Sequence, residues 1–189
     1  MATIGSSAIA ERFLDAVGQV DGVEYVAAYS RVLERAHTFG EPYGASRFFD
    51  SLDELAACAA VDAVYIASPN GAHAAQASLL ARAGKHVLVE KSFAPTQREA
   101  RMVFDVARET GVVALEATRN LHTQGFATIT HALPRLGAIT QASLRFGKVT
   151  SRIARLEAGT YVGQFDPMMG EDALTDIGVY CVEPAIALF

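Results

Sequence analysis

Short apolar runs alternate with longer segments of helical period along the first part of the chain. The runs are Ala2–Ile4, Tyr25–Tyr29, Ala63–Ala67, His86–Val89 and Val112–Leu115. This is the pattern of a parallel sheet with helices on both faces, so the predicted class is α/β. Between the first two runs, Ile9, Phe13 and Val17 repeat at helical spacing, with Ala10 and Leu14 beside them. Two capping-box patterns mark helix starts: Ser51-Leu52-Asp53-Glu54, and Thr96-Gln97-Arg98-Glu99 just after Pro95. The second opens a helix with Ala100, Val103 and Ala107 on one face, stopping near Thr110-Gly111.

The pattern changes after about Glu116. A helix is predicted from Gly125 to Leu133, broken by Pro134. Ile139–Phe146 reads as a strand with partial alternation, and Gly147–Gly170 as a polar loop. A last helix is expected from near Glu171 to Phe189, bent after Tyr180 because Pro184 cannot bond that carbonyl. Ending inside an apolar helix is unusual for a domain. The expected division is therefore a dinucleotide-binding domain over 1–117 and an incomplete second domain over 118–189. The first strand, Ala2–Ile4, is also short against a usual strand of about 5–6 residues.

Composition narrows the class. Of 189 residues, 51% are hydrophobic and 20% charged, which predicts a packed core. A net charge of −5 disfavours a general nucleic-acid or anionic-membrane binder. The loose basic run Arg145, Lys148, Arg152 and Arg155 has no interleaved aromatic residues and reads as a solvated surface. The only cysteines, Cys58 and Cys181, suit a reducing compartment, and no secretory signal opens the chain. No apolar run approaches the ~20 residues of a membrane helix, so the expected location is cytoplasmic. The histidines and cysteines lack metal-ligand spacing, and no metal is expected.

The chemistry begins at Gly5-Ser6-Ser7-Ala8-Ile9-Ala10, a G-x-G-x-x-G/A pattern with Ser7 at the second glycine and Ala10 at the third. It calls for a tight turn at Gly5, close approach to a pyrophosphate at Ser7, and close helix–strand packing at Ala10. The free N–H groups of the following helix would face the anion. An ordinary turn with a serine cap would give the same local residues. The candidate contacts are Gly5, Ser6, Ser7, Ile9 and Ala10. About 20 residues past Ala10, where NAD enzymes carry a ribose-binding acid, stand Ser30-Arg31. Arginine pairs with a 2′-phosphate and serine donates to it, so NADP is the expected cofactor, with NAD the alternative.

Three further segments complete a pattern. They are Tyr65-Ile66-Ala67-Ser68-Pro69-Asn70-Gly71-Ala72-His73, Gly84-Lys85-His86-Val87-Leu88-Val89-Glu90-Lys91, and Asp176-Ile177-Gly178-Val179-Tyr180. Together with the glycine loop they resemble the Gfo/Idh/MocA oxidoreductases, within them the branch of dihydrodiol dehydrogenase and NADP-dependent xylose dehydrogenase. The resemblance spans nearly the whole chain. It implies a Rossmann domain followed by the incomplete start of an α+β open-faced sheet domain, with the active site between them. It implies that Lys91, in the family's E-K-P motif, is catalytic. It also implies that Tyr180, at the histidine position of D-x-G-x-H, transfers the proton, and that Ser68, Asn70, His73 and Glu90 lie by the cofactor. Ser92 replaces the proline of E-K-P, which leaves the geometry at Lys91 looser. The family's substrate-closing sheet and dimer interface are expected to be largely missing.

The residues themselves fit this chemistry. Lys91 ends a predicted parallel strand, where α/β sheets place ligands. On a helix, Asp176 and Tyr180 share a face with Asp172 and Glu183 nearby, while Leu174, Ile177 and Cys181 fall on the core side. A nearby ammonium would favour tyrosinate, so Lys91 is expected to tune Tyr180 and to orient a substrate oxygen. Asp176 would hold a substrate hydroxyl or orient Lys91. A solvated strand-end lysine, a half-buried packing tyrosine and a first-turn His73 after an Asn70 cap are the plain structural alternatives. Arg119 and His122, after the last predicted strand, face either the presumed cleft or solvent. The expected activity is hydride transfer between NADP(H) and a CH–OH group of a polyhydroxylated small molecule: a sugar, polyol or dihydrodiol. The alternative is a catalytically incomplete dinucleotide-binding or regulatory remnant.

Overall fold

The computed structural model describes residues 1–147, 149–150, 152–162 and 173–189. Two compact units follow each other, Met1–Ala117 and Thr118–Phe189.

The first unit is built on six parallel strands, β1 (Ala2–Ile4), β2 (Ala27–Tyr29), β3 (Arg47–Phe49), β4 (Ala63–Ile66), β5 (His86–Val89) and β6 (Ala114–Glu116). Their order is β3-β2-β1-β4-β5-β6. The direction of winding reverses between β1 and β4, the crevice where doubly wound sheets bind ligands. The intervening helices are α1 (Ala8–Val17), α2 (Leu33–Gly40), α3 (Leu52–Ala57), α4 (Asn70–Arg82) and α5 (Gln97–Thr110).

Strand alternation sorts side chains to two faces. Ile4, Val64, Ile66, Val87 and Val89 pack with Leu55 of α3, Ala74, Ala77 and Leu80 of α4, and Val103 of α5. On the other face Ala28 packs with Leu14 and Ala36, and Tyr65 with Ala10 of α1. Phe13 of α1 stacks on the Tyr65 ring with centroids 3.8 Å apart. Thr3, fully buried in this layer, bonds the Tyr25 hydroxyl at 2.8 Å. Both predicted N-caps form through their side chains, without the reciprocal backbone half of a capping box. Ser51 accepts from the Glu54 N–H, and Thr96 accepts from the Glu99 N–H at 3.2 Å while donating to its carboxylate at 2.6 Å. Gly111, with φ +73°, closes α5.

The apolar runs gave every strand but β3, an edge strand of three residues whose Arg47 is exposed. The last strand lies at Ala114–Glu116 rather than Val112–Leu115. The Val112 N–H still bonds the end of α5, and the Val113 N–H goes to the His86 ring at 2.9 Å.

The second unit contains α6 (Gln124–Ala132), capped by Thr123, then a 3₁₀ turn over Leu133–Leu136 that takes Pro134 in its first positions. The expected strand at Ile139–Phe146 does not form. A strand needs a ladder partner, and among the described residues of this unit there is none. The expected loop holds a short helix, α7 (Ile153–Glu157). Its residues 148, 151 and 163–170 lie outside the described residues, as do Glu171 and Asp172. The last helix begins as a π-helical segment, Ala173–Gly178, and continues as α8 (Val179–Leu188) through Pro184. Among the described residues no helix is long and apolar enough to cross a membrane.

Candidate active site

Gly5 stands at the carboxyl end of β1 with φ +99°. A Cβ there would sit 2.8 Å from the Ala67 carbonyl carbon and closer still to its oxygen. Only glycine lets the first turn lie this close to the end of β4. Ser7 is the N-cap of α1 in extended conformation, and its carbonyl accepts the first helical bond from Glu11 at 3.1 Å. The Ser7 hydroxyl makes no capping bond, and Ser6, Ser7 and Ala8 are exposed. The leading N–H groups of α1 are therefore unpaired within the helix and open to an anion. Ile9 is half-buried, and Ala10 is fully buried against Tyr65 and Ala67.

The loop after β2, next to this turn in the sheet, carries Ser30 and Arg31. The Ser30 N–H bonds the Phe49 carbonyl at 3.1 Å, and its hydroxyl accepts weakly from the Val32 N–H at 3.4 Å. Arg31 is exposed and has no ion-pair partner among the described residues.

After β4 the chain turns through Ser68 and Pro69 into α4. Pro69 is the N-cap and Asn70 the first helical residue, so the cap expected from Asn70 is not made. Asn70 is only 6% exposed, and its amide nitrogen is buried without a hydrogen-bond partner. Such an orphaned donor is costly unless something accepts from it. The Ser68 hydroxyl donates to Gln76 at 2.6 Å. His73 is fully buried, with Nε2 2.8 Å from the Ser68 carbonyl oxygen and Nδ1 2.8 Å from that of Ser92. It is thus interior, and it joins the loops after β4 and β5. Burial pulls its pKa below the ordinary histidine value, against the two carbonyls and Glu90.

Glu90 and Lys91 follow β5. Glu90 is buried and accepts from the Tyr65 hydroxyl at 2.6 Å. Lys91 is half-buried, and the Lys91–Ser92 peptide is cis. The Phe93 N–H donates to Glu116 at 2.7 Å, and the Phe93 ring stacks on Phe104. The sequence assigns no site role to Tyr65, Glu116 or Gln76. The one local hint was a tyrosine inside an otherwise aliphatic strand.

In the second unit, Asp176 lies in the π segment and Tyr180 is the second residue of α8. Their spacing of four therefore straddles a change of winding rather than one helical face. The same change removes Leu174 from the expected core side: it is 71% exposed, while Ile177 and Cys181 are half-buried. The Tyr180 ring stacks on Phe146, centroids 4.8 Å apart. The Thr118 hydroxyl donates to Glu183 at 2.7 Å, tying the first residue of the unit to α8. Arg119 and His122 begin and end a 3₁₀ turn and are both exposed. No cluster of metal-ligating side chains occurs among the described residues.

A family model described as "Oxidoreductase family, NAD-binding Rossmann fold" (GFO_IDH_MocA) matches residues 1–118. The scyllo-inositol 2-dehydrogenase (NADP(+)) IolU of Bacillus subtilis (strain 168) is 37% identical over 188 residues, covering 100% of this chain and 57% of its own length. A D-xylose 1-dehydrogenase (NADP(+)) of Haloferax volcanii is 29% identical, over 96% of this chain and 54% of its own. Among solved structures, KijD10, a 3-ketoreductase from Actinomadura kijaniata in complex with NADP and TDP-benzene, superposes with a TM-score of 0.82 at 30% identity. That match covers 99% of this chain and 56% of that one. The chain spans a little over half the length of these relatives.

Proposed function

This chain belongs to the Gfo/Idh/MocA oxidoreductase family, and we propose that it serves hydride transfer between NADP(H) and a CH–OH group of a sugar, polyol or dihydrodiol. The observation that carries the reading is the switch-point turn. Gly5 admits no side chain against Ala67, and the leading N–H groups of α1 open beside it. The Asn70 amide, on the neighbouring loop, is a buried donor that lacks an acceptor. These groups fit a dinucleotide: the N–H groups of Ser6, Ser7 and Ile9 for the pyrophosphate, with Ser68 and Asn70 toward the nicotinamide end. Ser30 and Arg31 would receive the 2′-phosphate that distinguishes NADP.

When bound, the nicotinamide supplies the hydride acceptor or donor. Lys91, at the end of β5, would orient the substrate oxygen and stabilise charge developing on it. Tyr180 would take the hydroxyl proton during oxidation and return it during reduction, and Asp176 would hold a neighbouring substrate hydroxyl. Similarity to the B. subtilis dehydrogenase runs through both units and past Tyr180, which favours this reading over a regulatory remnant.

The test is a fluorescence titration with NADPH and NADH, followed by a polyol, sugar and dihydrodiol panel read at the reduced-cofactor absorbance. NADPH should bind more tightly than NADH. Arg31→Ala should weaken NADPH about tenfold or more, as for loss of a charge-assisted bond worth roughly 1.5–3 kcal/mol, and leave NADH nearly unchanged. A folded protein that binds neither cofactor would overturn the proposal.

A further inference from the structure

We propose that His73 is a positioning residue for Lys91, acting through the backbone of the loop that carries it. This rests on the assignment of Lys91 to the chemistry above. Lys91 is followed by serine, so no proline ring limits its backbone. The loop is held instead by its neighbours. Glu90 is fixed by the Tyr65 hydroxyl and, through its N–H, by the Ile66 carbonyl at 2.8 Å. Phe93 is fixed by Glu116 and by its stack on Phe104. Between these points, the carbonyl of Ser92 is met by His73 Nδ1 at 2.8 Å.

The other ring nitrogen of His73 meets the Ser68 carbonyl at the same distance. The ring is therefore a rigid strut between the loops after β4 and β5, seated in the first turn of α4. Both partners are carbonyl oxygens, which only accept. A neutral imidazole donates to one of them, and a doubly protonated ring to both. With the proton on Nδ1, in the neutral ring or the doubly protonated one, the fully buried His73 ties the residue after Lys91 to a helix packed in the core. Removing the ring's Nδ1 donor would leave the part-buried Ser92 carbonyl without this partner one residue from the amine and free the loop to shift. An angstrom of misplacement there is costly to a group that must meet a reacting oxygen.

The test compares His73→Phe, which keeps a ring without donors, with His73→Gln, which keeps one N–H donor, in the whole chain. The readout is amine labelling of Lys91 by acetic anhydride across pH, resolved by peptide mass spectrometry. Lys85 serves as the internal reference, because its ammonium bonds the Cys58 carbonyl and lies outside this loop. His73→Phe should shift the Lys91 labelling midpoint by about half a unit or more, roughly a threefold change in free amine, since one unit is a tenfold change in protonation ratio. His73→Gln should shift it less, and Lys85 should not move. Unchanged Lys91 labelling in a His73→Phe protein that folds, as judged by circular dichroism, would overturn the inference. If His73→Phe fails to fold, a folded His73→Leu, which also lacks a donor, with a Lys91 midpoint equal to the parent's would do the same. NADPH titration of the parent protein is read separately, so failure of the cofactor reading and failure of the strut are distinguished.

Discussion

Replacing Gly5 by alanine tests the turn without any ligand. Two costs add. A side chain at φ +99° carries strain of roughly 1–2 kcal/mol. The new methyl also overlaps the Ala67 carbonyl. That carbonyl cannot swing aside freely, because the Ala67 N–H bonds the Ile4 carbonyl at 2.8 Å and Ile66 is buried beside it. Relief must come from moving the start of α1 or the end of β4, an overpacking cost of about 1–3 kcal/mol. The expected loss is therefore about 2–5 kcal/mol. Gly84→Ala isolates the first cost, since Gly84 has φ +79° with nothing within 4 Å of an added Cβ. Urea unfolding of the three proteins gives the comparison as a difference at equal slope. NADPH affinity should fall in Gly5→Ala and hold in Gly84→Ala. If Gly5→Ala is no less stable than Gly84→Ala, the close approach of β1 and β4 loops is not what requires glycine.

Thr96→Ala should cost about 1 kcal/mol by urea unfolding, because the residue both accepts from the Glu99 N–H and donates to its carboxylate, and Thr96→Ser should restore most of it. Tyr65→Phe should cost roughly 1–3 kcal/mol by the same measurement, since it strips the buried Glu90 carboxylate of the Tyr65 donor. Tyr25 has its pKa pushed up to about 12 by burial, opposed by its bond to Thr3. Between the ordinary value near 10 and that raised value, the folded state holds a proton the unfolded chain has released. Stability should then fall as pH rises through that window, by about 2–3 kcal/mol at most, and Tyr25→Phe should flatten the fall seen in urea midpoints.

The sheet was legible where burial on both faces leaves a run of small and aliphatic residues. Ala63–Ile66 and His86–Val89 have that form, and the helices on either side of them carry their own starts at Ser51 and Thr96 and a stop at Gly111. β3 escaped because it is an edge strand of only three residues opening on an exposed arginine. Ile139–Phe146 erred the other way. Partial alternation describes a surface that would suit a sheet, but a ladder is a property of two segments, and periodicity reports on only one. The π winding before α8 is similarly invisible to a helical wheel, which is why Leu174 was assigned to the wrong side.

The site divides along the same line. What a ligand demands of consecutive backbone atoms is written consecutively: Gly5 through Ala10 show it because the turn, the cap and the helix packing fall at fixed offsets. What holds Lys91 is written nowhere near it. His73, Tyr65 and Glu116 stand 18, 26 and 25 positions away, and they converge because β4, α4 and β6 flank β5 in the sheet order. A reader of the sequence sees the histidine beside Ser68 and Asn70 and places it by the cofactor. Its complete burial also makes it a link between two loops, which the sequence does not show. The serine after Lys91 looked like a loosened motif because only local stiffness can be judged from adjacent residues. Stiffness supplied by the three surrounding elements depends on the order in which strands pair, and that order emerges only once the sheet has formed.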